Sequence, residues 1–343
     1  MPDAELEVLE TIEHVAPVAW DELCGGRPFV DHRWLRFVER SQPELQPRYV
    51  LLRRAGRLEG AAVCSIDRHF DNATLQRRVG WLLRHTPCVR CSVSIASESG
   101  LVIRPAADVA RVVPALVNGI RRLAVSERAL FTTAGHLLLA TPTWTALQEA
   151  GYTELSRWQN TSLSIGWSSF EEYLASRPSD DRREIARMRR RAEREHIRVE
   201  HRRLLADELP QVWKLVQNVQ QRHTARDVYA PDVLGHAVDA LGEDLHVLEA
   251  RRSGELVGCA VMLRSGDELL AKWIGLDYER TWNTATYYML IAESVARAIE
   301  LGVRRLRLGA TAYATKQQFG VVTEERVNAV LLPRPLRLLA RAA

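Results

Sequence analysis

The chain has 343 residues, 46% apolar and 26% charged, with a net charge of +4; the length favours two domains, and so mild a charge demands no nucleic-acid partner. No apolar run approaches the roughly 18 residues a bilayer requires, and the opening MPDAELEVLE is acidic, unlike a secretory signal. Five cysteines, an odd number, fit a reducing cytoplasm better than a disulfide framework.

The first predicted feature is a β-hairpin. Tyr49–Val63 reads YVLLRRAGRLEGAAV: a strand, a turn ending in Gly56, and a second strand carrying Gly60. The pattern returns 198 residues later in Val247–Val261, VLEARRSGELVGCAV, where Gly254 and Gly258 take the same places. Ala110–Val125 has helical periodicity and leads to a strand-like Ala129–Thr132 and then Gly135, as the second copy leads through a helix and a strand to Gly309. Two related α/β domains are therefore expected, residues 1–160 and 161–343. The first copy has no lysine and reads as a degenerate partner.

Between the copies of the hairpin, Pro87-Cys88-Val89-Arg90-Cys91 matches half of a zinc deaminase signature. The His-x-Glu half is absent, since none of His14, His32, His69 or His85 has Glu two residues on, and no metal site is expected. Further on, Phe170–Val199 contains a helix with Ile185, Met188 and Ala192 on its apolar side and Ser179 or Asp180 as candidate caps. Ten arginines between Arg182 and Arg203 suit either a solvated, internally paired face or contact with a phosphate-bearing carrier.

The segment Glu268–Gly320 reads as strand, turn, helix, strand and glycine-punctuated loop, a βαβ unit whose strand ends are common ligand sites. Leu269–Ile274 is an apolar strand interrupted by Lys272; Tyr287–Leu301 is a helix stopped by Gly302; Arg304–Leu308 is the second strand. Only three lysines occur against 44 arginines, and two of them, Lys272 and Lys316, fall in this unit. A compact ammonium stabilises a localised negative charge in a way that a forked guanidinium does not.

Three features together, the tandem α/β arrangement, the linker R-R-x-I-x-R-x-R-R and the ending G-A-T-A-Y-A-T-K-x-x-F-G, resemble the BioF-like acetyltransferase group. That group belongs to the GNAT superfamily, beside the Fem-type aminoacyl transferases. The resemblance implies two tandem GNAT-like domains, each a mixed sheet flanked by helices, and transfer of an acyl or aminoacyl group to an amine. It also implies that Lys316 stabilises the oxyanion formed at the reacting carbonyl, a large term in such chemistry. Asp277 and Tyr278, read as the end of the strand at the site opening, are candidates to bind or deprotonate the amine. Tyr287 and Tyr288 would line the donor tunnel, and Gly309, Gln317, Gln318 and Phe319 would shape the pocket, with Lys272 and Arg280 as further binding residues.

One departure bears on the donor. Acetyl-CoA-dependent members carry a glycine-rich loop before the helix, whose amides hold the pyrophosphate; here Glu279–Tyr287 (ERTWNTATY) has no glycine. That counts against coenzyme A, and the resemblance to the Fem-type enzymes and their wider group implies an aminoacyl-tRNA or an acyl carrier protein thioester as the preferred donor, with acyl-CoA the alternative and no tightly bound cofactor. The acceptor is a small-molecule or peptide amine. A non-catalytic RNA- or phosphate-binding protein using the arginine-rich helix is the reading from another class.

Overall fold

The computed structural model describes residues 4–69, 73–202, 207–222 and 229–333. They form two compact units, one of residues 4–158, 229–230 and 325–333, the other of residues 159–222 and 231–324. The second unit begins at Gln159, and the last nine described residues lie in the first unit.

In the first unit the chain runs β1 (Ala4–Leu9), α1 (Pro17–Cys24), α2 (His32–Ser41), β2 (Pro47–Arg54), β3 (Arg57–Asp67), α3 (Ala73–His85), β4 (Cys88–Val93), β5 (Glu98–Ser99), β6 (Leu101–Ile103), α4 (Val109–Ser126), β7 (Thr132–Leu138) and α5 (Pro142–Glu149). Strand β8 (Thr153–Ser164) leads into the second unit. There follow α6 (Phe170–Ala175), α7 (Ser179–Arg194), β9 (Ile197–Arg202), α8 (Leu209–Arg222), α9 (Val233–Leu241), β10 (Leu245–Arg252), β11 (Glu255–Ser265), β12 (Glu268–Leu276), α10 (Tyr278–Thr281), α11 (Thr286–Glu300), β13 (Arg305–Gly309) and α12 (Tyr313–Gln317). Strand β14 (Val322–Leu331) closes the described chain, and its residues from Arg326 pair with β7.

The expected repeat is present down to its irregularities. In the first unit β1, β2, β3 and β4 are antiparallel neighbours, β4 is parallel to β7, and β7 is antiparallel to β14. In the second unit β9, β10, β11 and β12 follow the same order, β12 is parallel to β13, and β13 is antiparallel to β8. Both hairpins shift register at equivalent residues, between Leu52 and Arg53 and between Ala250 and Arg251. Both turn through two residues of positive φ, Ala55–Gly56 and Ser253–Gly254, the pairing whose twist suits a two-residue hairpin.

The shared glycines explain how each sheet receives its helix. A Cβ on Gly60 would lie 2.6 Å from Val112 Cγ1 of α4, and one on Gly258 would lie 3.0 Å from Thr286 Cγ2 of α11. The core of the first unit joins Val50, Leu52 and Ala62 to Val112, Leu116 and Ile120. That of the second joins Leu248, Ala260 and Leu269 to Leu290, Ile291 and Val295, with Ile185 and Ala192 of α7 packed in. Each such side chain is worth about 1.5–3 kcal/mol on burial. Helix α11 has no side-chain cap, so this packing rather than its terminus holds it.

Two local expectations change. Strand β7 starts at Thr132, not Ala129, and Gly135 lies inside it with ordinary φ while His136 takes the left-handed turn. Neither Ser179 nor Asp180 caps α7, which starts after Pro178 without a side-chain cap. Cys88 and Cys91 are buried in β4, and no metal-binding cluster occurs among the described residues. No described helix is long and apolar enough to cross a membrane.

Helix α8 lies directly on β12 at Gly275, where a Cβ would meet Cys259 Sγ at 2.5 Å and Leu215 Cβ and the Val216 nitrogen at 2.7 Å. Gly275→Ala is expected to lower stability by about 1–3 kcal/mol, read from the urea midpoint at unchanged slope. Wild-type stability in that variant would mean that α8 can move off the strand freely.

Candidate active site

The site is built on a fork between two parallel strands of the second unit. Strand β12 pairs with β13 only through Glu268–Leu270 and Arg305–Arg307, then continues to Leu276 without that partner. On its other edge, the register with β11 shifts so that Val261 faces Trp273 and Met262 faces Ala271, leaving Lys272 as the inserted residue of a bulge. Bulges bend and twist a strand and are common beside active sites. The closed end of the fork is pinned by the buried Arg307, which is ion-paired with Glu268. At the open end β12 and β13 part, toward the loops that follow both strands in chain order.

Lys316 anchors the loop after β13. It is 4% exposed, and its Nζ donates to the carbonyls of Leu308 at 2.6 Å, Gly309 at 3.2 Å and Ala310 at 3.1 Å. Three acceptors match the three N–H bonds of an ammonium. Such convergence needs an unusual backbone: Gly309, Thr311 and Ala312 all have positive φ, at 70°, 73° and 48°. For a β-branched threonine this is a strained conformation. Burial pulls the Lys316 ammonium down from 10.5 to about 8.

Helix α12 spans five residues, too few to be stable alone, so its neighbours fix it. Phe319 is fully buried against Tyr288, ring centroids 4.7 Å apart, and its carbonyl accepts from the Tyr173 hydroxyl at 2.9 Å. Gly320, at φ 74°, lies under the Arg177 guanidinium, where any Cβ would come within 2.0 Å of Nη1. Arg177 is in turn paired with Asp181 at 3.0 Å. The linker helices thus brace the lysine loop. Neither Tyr173 nor Arg177 stood out in the sequence; the one clue was Gly320 following Phe319.

The remaining candidates are placed unevenly. Asp277 does not end the strand but caps α10, accepting from the Glu279 and Arg280 amides at 3.1 and 3.2 Å. Tyr278 begins that helix; Arg222 covers its ring at 4.3 Å, and burial pushes its phenol up. Arg280 is ion-paired with Glu255. Tyr287 is half-buried and its phenol is pushed up to about 12 by burial. Tyr288 is core, and its hydroxyl has no hydrogen-bond partner among the described residues. Gln317 is exposed, Gln318 half-buried, and Lys272 half-buried at its bulge.

The loop before α11 differs from the sequence expectation in conformation. It lacks glycine, yet Asn283 and Ala285 adopt the left-handed φ of 62° and 67° that glycine usually supplies. Ala285 is the N-cap of α11 and provides no capping side chain, and Trp282 beside it is 76% exposed.

On α7, arginines 183, 187, 190, 191 and 194 share, by helical spacing, the face opposite Ile185, Met188 and Ala192. Arg183 pairs with Asp180, and Arg187 holds Glu184 through two 2.7 Å bonds. The side chains of Arg190, Arg191 and Arg194 have no ion-pair or hydrogen-bond partner among the described residues. The helix is neutralised toward its start and cationic toward its end.

Comparison with known proteins bears on this arrangement. The family model FemAB-like, described as peptidoglycan biosynthesis/recognition, matches residues 11–329. The crystal structure of FemX superposes with a TM-score of 0.67 at 13% identity, covering 97% of this chain and 99% of that one. A tandem GNAT protein from the clavulanic acid biosynthesis pathway gives 0.56 at 13% identity over 96% and 98%. L-PGS from Bacillus licheniformis gives 0.54 at 10% identity over 92% and 91%. No curated protein sequence matches the chain. The fold of this chain is accordingly the tandem GNAT fold.

The lysine gives a signed pH prediction. Because its folded value, about 8, lies below its ordinary 10.5, the unfolded chain binds a proton in that window which the folded chain does not. Stability therefore rises with pH between those values and falls as pH is lowered through them, by at most about 3 kcal/mol. Subtracting the unfolding free energy of Lys316→Met from that of wild type across pH 7–11 should isolate this rise. A flat difference would mean that the ammonium is not desolvated.

Proposed function

The chain belongs to the FemAB-like family and is a GNAT-fold acyltransferase, and on that premise we propose that it moves an acyl or aminoacyl group from a macromolecular carrier to an amine, with Lys316 stabilising the oxyanion. The observation that carries this reading is the buried ammonium at the open end of the β12–β13 fork. In a water-poor site a fixed positive donor acts on a developing negative charge with little screening. The acceptor amine attacks the acyl carbonyl, its oxygen becomes negative, and an N–H of Lys316 receives that charge. Collapse then breaks the bond to the carrier's oxygen or sulfur, which leaves as a hydroxyl or thiol with the proton that the amine gives up.

The acceptor side is served by Asp277. Its Oδ1 is committed to two backbone amides, which leaves the other oxygen to hold the incoming ammonium or take its proton. The phenols of Tyr278 and Tyr287 are pushed upward, so both stay protonated at neutral pH and act as hydrogen-bond donors, not bases. Lys272, at the bulge, and Gly309, Gln317, Gln318 and Phe319, around the lysine turn, shape the pocket. The pairing of Arg280 with Glu255 makes Arg280 a weaker candidate for a phosphate than the free arginines of α7.

Those arginines favour aminoacyl-tRNA as the donor. Positions three and four apart on a helix lie about 5–6 Å from each other, so the α7 row presents a line of cations suited to successive phosphates rather than to a single one. A carrier-protein thioester is the second choice. The left-handed turns at Asn283 and Ala285 are the feature that favours acyl-CoA instead, since they retain a loop shape without its glycines. This reading requires the cytoplasm, where charged tRNA and carrier thioesters are found.

Thermal melting with each donor separates these choices. A ligand at a hundred times its dissociation constant that binds only the folded state adds about 2.7 kcal/mol. Charged tRNA should raise the melting temperature in low salt and lose this effect as salt rises, with Arg190→Ala/Arg194→Ala weakening it. A rise with acyl-CoA and none with charged tRNA would overturn the tRNA assignment.

A further inference from the structure

Lys316 as the structure holds it has every N–H already engaged, so it reaches a reacting oxygen only by releasing a carbonyl. A buried carbonyl abandoned in this way would carry an unsatisfied acceptor, and the loss would raise the barrier that the lysine is meant to lower. The three contacts are unequal: Leu308 is nearest at 2.6 Å and Gly309 farthest at 3.2 Å. The Gly309 carbonyl has a second donor, the hydroxyl of Thr161.

We propose that Thr161 is a positioning residue that frees one N–H of Lys316 for the acyl oxygen by keeping the Gly309 carbonyl hydrogen-bonded. A carbonyl oxygen has two acceptor sites, and in the resting site Thr161 and Lys316 occupy both. When the ammonium turns toward substrate, the Leu308 and Ala310 carbonyls keep it anchored and Thr161 satisfies Gly309. No proton changes owner in this exchange; one N–H merely passes from one oxygen to another.

The local fold builds this arrangement. Thr161 is fully buried, so water does not compete for its hydroxyl, and its backbone amide is bound by the Asn160 side chain at 3.0 Å. The β8–β13 ladder pairs Ser162 with Arg307 and Thr161 with Gly309, which makes Leu308 an inserted residue. That insertion and the positive φ of Gly309 bring consecutive carbonyls to the same ammonium. The sequence singles out Lys316 by its rarity and is silent on Thr161, which lies 155 positions upstream.

This inference rests on the oxyanion role proposed above, and the test separates the two. Thr161→Val removes the hydroxyl at nearly constant volume; Thr161→Ser restores it. In transfer assays Thr161→Val should lower kcat roughly ten- to a hundredfold with KM for either substrate within about twofold, and Thr161→Ser should recover most of the rate. Because the chain has three lysines, ε-13C-lysine NMR follows Lys316 without any substrate, assigned by Lys316→Met. In Thr161→Val the ammonium becomes the sole donor to Gly309, so its titration should move up by about half a unit or more and return in Thr161→Ser. An unmoved titration in folded Thr161→Val overturns the proposal, as does a kcat equal to wild type. If wild type transfers from no donor, the oxyanion reading fails while the NMR arm still decides whether Thr161 shares the carbonyl.

Discussion

Keeping one ammonium out of water needs compensation at each of its protons, and the loop after β13 is shaped by that need. Leu308, Gly309 and Ala310 direct their carbonyls to Lys316, which a regular strand cannot do because successive carbonyls point to opposite sides. The bulge at Leu308 and the left-handed backbone at Gly309, Thr311 and Ala312 break that alternation. The strain is sustained by packing: Phe319 on Tyr288, Tyr173 on the Phe319 carbonyl, and Arg177 on Gly320. Such strain concentrated around one charged group is what a preorganised electrostatic site requires.

The duplication shows which parts are scaffold and which are chemistry. Both units keep the hairpin with its register shift, the glycine that admits the helix, and the parallel pair next to an antiparallel strand. Only the second places a lysine after the parallel strand; in the first, β7 continues through His136 and leads to α5. The sheet thus sets where loops fall, and the residues on those loops decide what they do.

Much of this was legible in the sequence because it depends on local rules. The hairpins were visible from Gly56 and Gly254, which only a positive-φ turn demands, and the 198-residue offset carried the fold from one copy to the other. Lys316 could be singled out by its rarity, and α11 by the spacing of Leu290, Ile291 and Val295. What escaped depends on tertiary context. Asp277 caps a helix too short to show periodicity, and Asn283 and Ala285 adopt a conformation that composition attributes to glycine. The carbonyl cage is made of backbone atoms, which no residue type announces, and Thr161 contributes through a pairing between distant strands.

The most direct test of the central claim is single-turnover acyl transfer by wild type and Lys316→Met with whichever donor stabilises the protein. If the caged ammonium receives the oxyanion, the chemical step should slow by about a hundred- to a thousandfold while donor affinity changes little. A folded Lys316→Met protein that transfers at the wild-type rate would contradict the account, reducing Lys316 to a bolt that holds its loop.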